Sequence, residues 1–185
     1  VLVFLSIVMQ EGQTLIKDYQ RDRIMAFFDP ATYADTEAYQ QLNSVIAIGS
    51  GQLWGKGLNN TDIASVKNGN FLPESQTDFI FAVIGEELGF VGSAVVILLL
   101  ILIAMRCVSI ARVAKDTAGM VIAAGMGSLI GIQGFMNIAV ATMMMPNTGL
   151  PLPFVSYGLS SLVSMYIGIG FVLNVGLQRK NLYNL

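Results

Sequence analysis

Three carboxylates, Asp78, Glu86 and Glu87, stand where a polar loop runs into an apolar helix, in the stretch FLPESQTDFIFAVIGEELG at 71–89. A charged side chain at bilayer depth costs at least ~2.5–3.5 kcal/mol on insertion scales, so such residues face a protein interior or a wet cavity and mark function. The chain has no histidine, the commonest general base and metal ligand, so proton transfer falls to carboxylates. Its single cysteine, Cys107, can form no internal disulfide and no cysteine-rich zinc site. Asp78, at the polar end of the stretch, is the candidate general base. A second role is open to it, because Thr77 or Asp78 would cap a helix beginning at Phe79, and chemistry alone does not separate the two. Glu86 and Glu87 follow at ~12–13.5 Å along a helix, too deep to share a proton with Asp78, and read as structural intramembrane acids. They would bond a neighbouring helix or hold a polar cavity.

The elements that must position these acids are membrane spans. Hydrophobic residues make up 54% of the 185, charged residues 12%, and none of the latter occurs from Thr117 to Gln178. A soluble core of this size carries more charge. A span needs ~20 mostly apolar residues. The pattern predicts transmembrane helices over 79–105, 119–145 and 158–177. Residues 1–9, VLVFLSIVM, are too short to cross and lack the basic start of a signal peptide, so they read as the end of a truncated span. The fold expected is an all-α polytopic membrane protein with about four transmembrane helices, the first truncated, and a long extracytoplasmic loop over 10–78. Arg106, Arg112 and Lys115 place the 106–118 loop in the cytoplasm, as Arg179 and Lys180 place the tail 178–185. The 10–78 and 146–157 connections then face outward. A net charge of −2 with mixed signs excludes the basic stripe that nucleic-acid binding wants.

Cations that could meet a phosphate come from the long loop: Arg21, Arg23, Lys56 and Lys67, with a divalent ion such as Mg or Mn as a further candidate. Residues 18–28, DYQRDRIMAFF, read as an amphipathic piece lying against membrane lipids and ended by Asp29-Pro30. Arg21 and Arg23 would diverge by about 200° on a helix and share a side only on an extended chain, the one geometry in which both grip a single diphosphate. The glycines of GSGQLWGKG, 49–57, fail the Walker pattern at Ser50 and Gly57 and read instead as close backbone approach to a neighbouring segment. Gly85-x-x-x-Gly89 and Gly127-x-x-x-Gly131 are packing spacings, and Gln133 and Asn137 are expected to hydrogen-bond across helices. The loop PNTGLPLPFVSYGLSS, 146–161, cannot be a continuous helix. Irregular backbone at membrane depth lines cavities. Its Thr148, Ser156, Tyr157 and Ser160 offer hydroxyls to a sugar or diphosphate, with Ser160 also a candidate cap of the last span.

Four segments, YQRDRIMAFFDP, AIGSGQLWGKGL, FLPESQTDFIFAVIGEELGFVG and PNTGLPLPFVSYGLSS, in this order and spacing, resemble the carboxyl-terminal half of the RodA/FtsW/SpoVE (SEDS) peptidoglycan glycosyltransferases. The resemblance implies a family fold of about ten membrane helices. It also implies polymerisation of lipid II at the outer face of the bacterial cytoplasmic membrane, beside a class B penicillin-binding protein. The acid required for polymerisation in the TDFIFA motif falls on Asp78. Thr148 and Asn70 stand where FtsW-like members carry Lys and an acid, so the resemblance leans to the RodA branch. Leu159 replaces the second glycine of SYGGSS. A second class, a transporter of lipid-linked precursor, also suits intramembrane acids and broken helices, and a third is a non-catalytic scaffold that recruits the penicillin-binding protein.

Overall fold

The structure, a computed structural model, describes residues 18–36, 38–58 and 77–178. The expectations for the segment 1–9, for Lys67 and for the basic tail at Arg179 and Lys180 fall outside the described residues. Among the described residues five helices follow in order: α1 (Asp18–Phe28), α2 (Tyr39–Ser50), α3 (Ile80–Arg112), α4 (Thr117–Ala141) and α5 (Leu159–Leu177). The last three are long and apolar enough to cross a membrane. Large apolar side chains such as Leu98, Ile101, Ile132, Phe135, Phe171 and Leu173 point outward from them. A hydrocarbon solvent makes that outward display favourable, so the interior can be built from smaller residues. Between the helices lie Leu100, Cys107, Ala123, Ile130, Met165 and Val172.

Helix ends depart from the sequence reading for local reasons. α3 continues past 105 to Arg112, with Arg106 and Arg112 both exposed and Arg112 in the last turn, where cations are favoured. α4 starts at Thr117 because Asp116 caps it, its carboxylate accepting from the Gly119 N–H at 3.3 Å. It stops at Ala141, short of 145, where Met143 takes φ 57° and the Met144 N–H turns back to the Ala139 carbonyl at 2.7 Å. α3 and α4 close on each other at Gly127, where an added Cβ would lie 3.0 Å from the Ala104 carbonyl oxygen and 3.1 Å from Cys107 Cβ.

The segment read as a long loop contains two helices among its described residues. α2 turns polar side chains inward: Gln41 Nε2 donates to the carbonyls of Val140 (3.1 Å) and Met145 (2.8 Å), and Ser44 Oγ donates to Ala141 (2.7 Å). Carbonyls at a helix C-terminus have no partner within their own helix, and α2 supplies it. α1 is helical through both arginines, so Arg21 and Arg23 diverge and the paired grip on one diphosphate is not formed.

α3 is broken at Gly89, whose φ of 66° and ψ of −163° interrupt the helix. In an unbroken helix the Glu86 and Glu87 carbonyls would accept from Phe90 and Val91. Here the segment 51–57 takes over all four groups. Lys56 N–H donates to Glu86 O at 2.9 Å and Gly57 N–H to Glu87 O at 3.0 Å, while Phe90 N–H reaches Gln52 O at 2.8 Å and Val91 N–H reaches Leu53 O at 3.2 Å. Gly51, Gly55, Gly85 and Gly89 make that approach possible. What Gly89 receives is this loop and what Gly85 receives is Ile48 of α2, not a second transmembrane helix.

Candidate functional site

Asp78 lies half-buried in the turn that enters α3, and the N-cap position falls on Phe79 rather than on Thr77 or Asp78. The turn is tied to the 146–158 connection through its backbone. Asn137, buried in α4, donates from Nδ2 to the carbonyls of Asp78 and Leu150, each at 2.7 Å. Ser156 Oγ donates to the Thr77 carbonyl at 2.6 Å and accepts from the Leu152 N–H at 2.7 Å. Gln133 holds the same connection through Pro151, its Nε2 donating to that carbonyl at 2.9 Å. Gln133 and Asn137 thus bond to the irregular backbone at Asp78, Leu150 and Pro151 rather than across to a neighbouring helix.

At Gly149 (φ 68°) the direction of a missing Cβ points into the site: that position lies 3.5 Å from Asp78 Oδ2 and 4.0 Å from Arg23 Nη1. One carboxylate and one guanidinium therefore flank a single open point. The Gly149 N–H donates to Asn147 Oδ1 at 3.1 Å, which folds the loop into the turn that makes this opening. Arg23 also lies over the Tyr19 ring, 5.9 Å from its centroid, which steadies the side chain. Arg23 and Asn147 border a cavity of about 360 Å³ whose lining includes Tyr19, Asp35, Tyr39 and Gln40. Aromatic faces with amide and carboxylate groups suit a sugar's hydroxyls and ring faces. A larger cavity of about 580 Å³ lies against α3 around Phe90, Ile97 and Leu98, and its mostly apolar wall suits hydrocarbon instead.

The other residues singled out by the sequence sort differently. Ser156 is buried with its hydroxyl proton spent on Thr77, so it does not serve as a substrate ligand. Thr148 is exposed beside Gly149. Tyr157 and Ser160 are exposed at the start of α5, where Gly158 takes the N-cap position with no side-chain bond, so Ser160 does not cap the helix. Lys56 is not at the site: its ammonium is 2.8 Å from Glu86 Oε1, about two turns of helix below Asp78. Glu86 is 1% exposed and held from the loop side by that lysine. Among the described residues no three acidic or cysteine side chains converge to hold a metal ion. Sequence reasoning missed Asp35, Tyr39, Gln40 and Asn147; of these only Asn147, in a Pro-Asn-Thr-Gly turn, carried a local signal.

The sequence profile of the FtsW/RodA/SpoVE family, described as a cell cycle protein, matches residues 1–181. The chain belongs to the FtsW/RodA/SpoVE family. It is 42% identical over 168 residues to the peptidoglycan glycosyltransferase MrdB of Escherichia coli K12, covering 91% of this chain and 45% of MrdB. It is 39% identical over 163 residues to the probable peptidoglycan glycosyltransferase FtsW of Geobacter metallireducens, covering 88% of this chain and 42% of that protein. One chain of a solved structure, described as "Structural coordination of polymerization and crosslinking by a peptidoglycan synthase complex", superimposes with a TM-score of 0.69 at 30% identity. The match covers 98% of this chain and 49% of that one. The chain thus spans less than half the length of these curated FtsW/RodA/SpoVE relatives, and it has their all-helical, multi-pass membrane architecture.

Proposed function

We propose that this chain carries the acid-bearing half of a peptidoglycan glycosyltransferase that polymerises lipid II into glycan strands. The observation that carries the reading is the pairing of Asp78 and Arg23 around the open point at Gly149, beside a polar cavity. An acceptor sugar hydroxyl gives its proton to the Asp78 carboxylate as its oxygen attacks the anomeric carbon of the donor. The bond from that carbon to the lipid diphosphate breaks, and the charge developing on the diphosphate is met by the Arg23 guanidinium. A positioned general base typically contributes 10²–10⁴-fold, and preorganised cations act on the leaving charge. A divalent ion bound to the substrate's own phosphates would supply further charge neutralisation to the leaving diphosphate.

The basic residues Arg106, Arg112 and Lys115 at the far end of α3 support a site that opens on the outer face of the bacterial cytoplasmic membrane. A class B penicillin-binding protein, cross-linking the strands, is the partner this reading implies. The chain alone should be inactive, because the remaining wall of the cavity belongs to the half of the family fold it does not span. The test uses a family-length protein carrying this chain, its penicillin-binding partner and labelled lipid II. Asp78→Asn should abolish glycan polymer with partner binding intact. Polymer made at the wild-type rate would remove Asp78 from the mechanism, and cell-wall growth without any polymerase activity would favour a scaffold or a precursor transporter.

A further inference from the structure

We infer that Asn137 and Ser156 are positioning residues that set the direction of the Asp78 carboxylate, an inference that rests on the reading of Asp78 as the base. The two carbonyls they hold belong to consecutive residues, Thr77 and Asp78. The Thr77 carbonyl lies in the peptide plane before the Asp78 Cα, and the Asp78 carbonyl in the plane after it. Holding both planes fixes the two soft backbone angles of Asp78 and hence the direction of its Cα–Cβ bond. Each holding side chain is only 1% exposed, so water has little access to the donor side of these bonds.

The same two side chains place what faces the acid. Asn137 holds Leu150 O with its other amide hydrogen, and Ser156 accepts from Leu152 N–H, so the acid-bearing turn and residues 150–152 are set by shared atoms. Gly149, next to Leu150, is the residue that opens toward Asp78 Oδ2 at 3.5 Å. Two neighbouring carbonyl oxygens leave Asn137 one workable orientation, with the NH₂ toward them and the oxygen away. Asn137→Asp is therefore a near-isosteric change that leaves at most one donor, the O–H of a protonated carboxyl, for two carbonyls. Ser156→Ala deletes one hydroxyl, and Ser156→Thr restores it. Gln133→Ala is the control, because Gln133 holds the same connection at Pro151 and does not touch the acid-bearing turn.

The experiment measures glycan polymerisation by the family-length protein with its partner, for Asp78→Asn and these four variants, as kcat and KM separately. Misplacing a reacting group by about 1 Å costs on the order of 10²-fold, so Asn137→Asp and Ser156→Ala should lose roughly 10–100-fold in kcat with KM little changed. Ser156→Thr should recover most of the loss, and Gln133→Ala should keep wild-type kcat. If Asn137→Asp fails to accumulate in the membrane, the Ser156 pair decides. The inference is overturned if Ser156→Ala keeps wild-type kcat, or if Gln133→Ala loses as much as Ser156→Ala, since that would mark general loosening of the loop. An active Asp78→Asn would instead sink the underlying reading of the base.

Discussion

Replacing Gly89 by alanine should release the segment 51–57 from α3. The backbone at Gly89, φ 66° and ψ −163°, lies in a region essentially reserved for glycine, where another residue costs about 1–3 kcal/mol. Space forbids the methyl as well: the Cβ would stand 2.3 Å from Gly55 N and 2.7 Å from Leu53 O, both backbone atoms. The helix could escape by straightening, with Phe90 and Val91 bonding back to Glu86 and Glu87. That route exchanges four loop bonds for two helical ones, each worth about 0.5–1.5 kcal/mol net, and draws Lys56 away from buried Glu86. Either route costs about 3 kcal/mol, which for a chain of this size lowers Tm by roughly 6–12 °C. Gly125→Ala and Gly170→Ala are the references, since a Cβ at either meets nothing within 4 Å and a helical alanine is favoured by roughly 0.5–1 kcal/mol. Thermal unfolding of the detergent-purified variants measures the difference. A Gly89→Ala protein melting alongside Gly125→Ala would refute the reasoning that the docked loop holds the break.

Three further outcomes are expected. Arg23→Ala should lower kcat/KM for glycan polymerisation by roughly 10²-fold, while Arg21→Ala, on a diverging face of α1, should stay near wild type; equal losses would mean that both reach the diphosphate. Lys56→Met should destabilise the protein by about 2 kcal/mol, a buried-pair cost reduced by the partial exposure of Lys56, and adding Glu86→Gln should restore part of it in the same thermal assay. Gly127→Leu should cost about 1–3 kcal/mol by forcing α3 from α4 at Ala104 and Cys107, so an unchanged Tm would show that the two helices are not in van der Waals contact there.

The three spans were legible because hydrocarbon selects for composition, and a charge-free block from Thr117 to Gln178 is what two consecutive crossings of a bilayer require. α2 was not legible for a physical reason. Its buried face carries Gln41 and Ser44 while Val45 and Ile46 are exposed, the reverse of the pattern that announces an amphipathic helix. The inversion makes sense only beside the end of α4, whose carbonyls those side chains serve. The site was half legible. Asp78 stood out by its cost at the membrane boundary, whereas Asn137 meets its carbonyl across 59 residues of chain and Ser156 that of Thr77 across 79, pairings no local spacing encodes. Lys56 and Glu86, 30 residues apart, hid their relation in the same way, so a lysine that looked available for phosphate is engaged by a carboxylate.

The amide and hydroxyl that α2 lends to Val140, Ala141 and Met145 have a consequence for depth. A helix whose last carbonyls depend on water must finish in the headgroup layer, but one finished by protein donors can end beneath it. On the proposed reading, the acid and its guanidinium would then lie at the bottom of a shallow well sunk into the leaflet. On that reading, the lipid-linked saccharide we propose as substrate would lower its polar head into the well sideways while the tail stays dissolved in oil, without ever leaving the lipid phase.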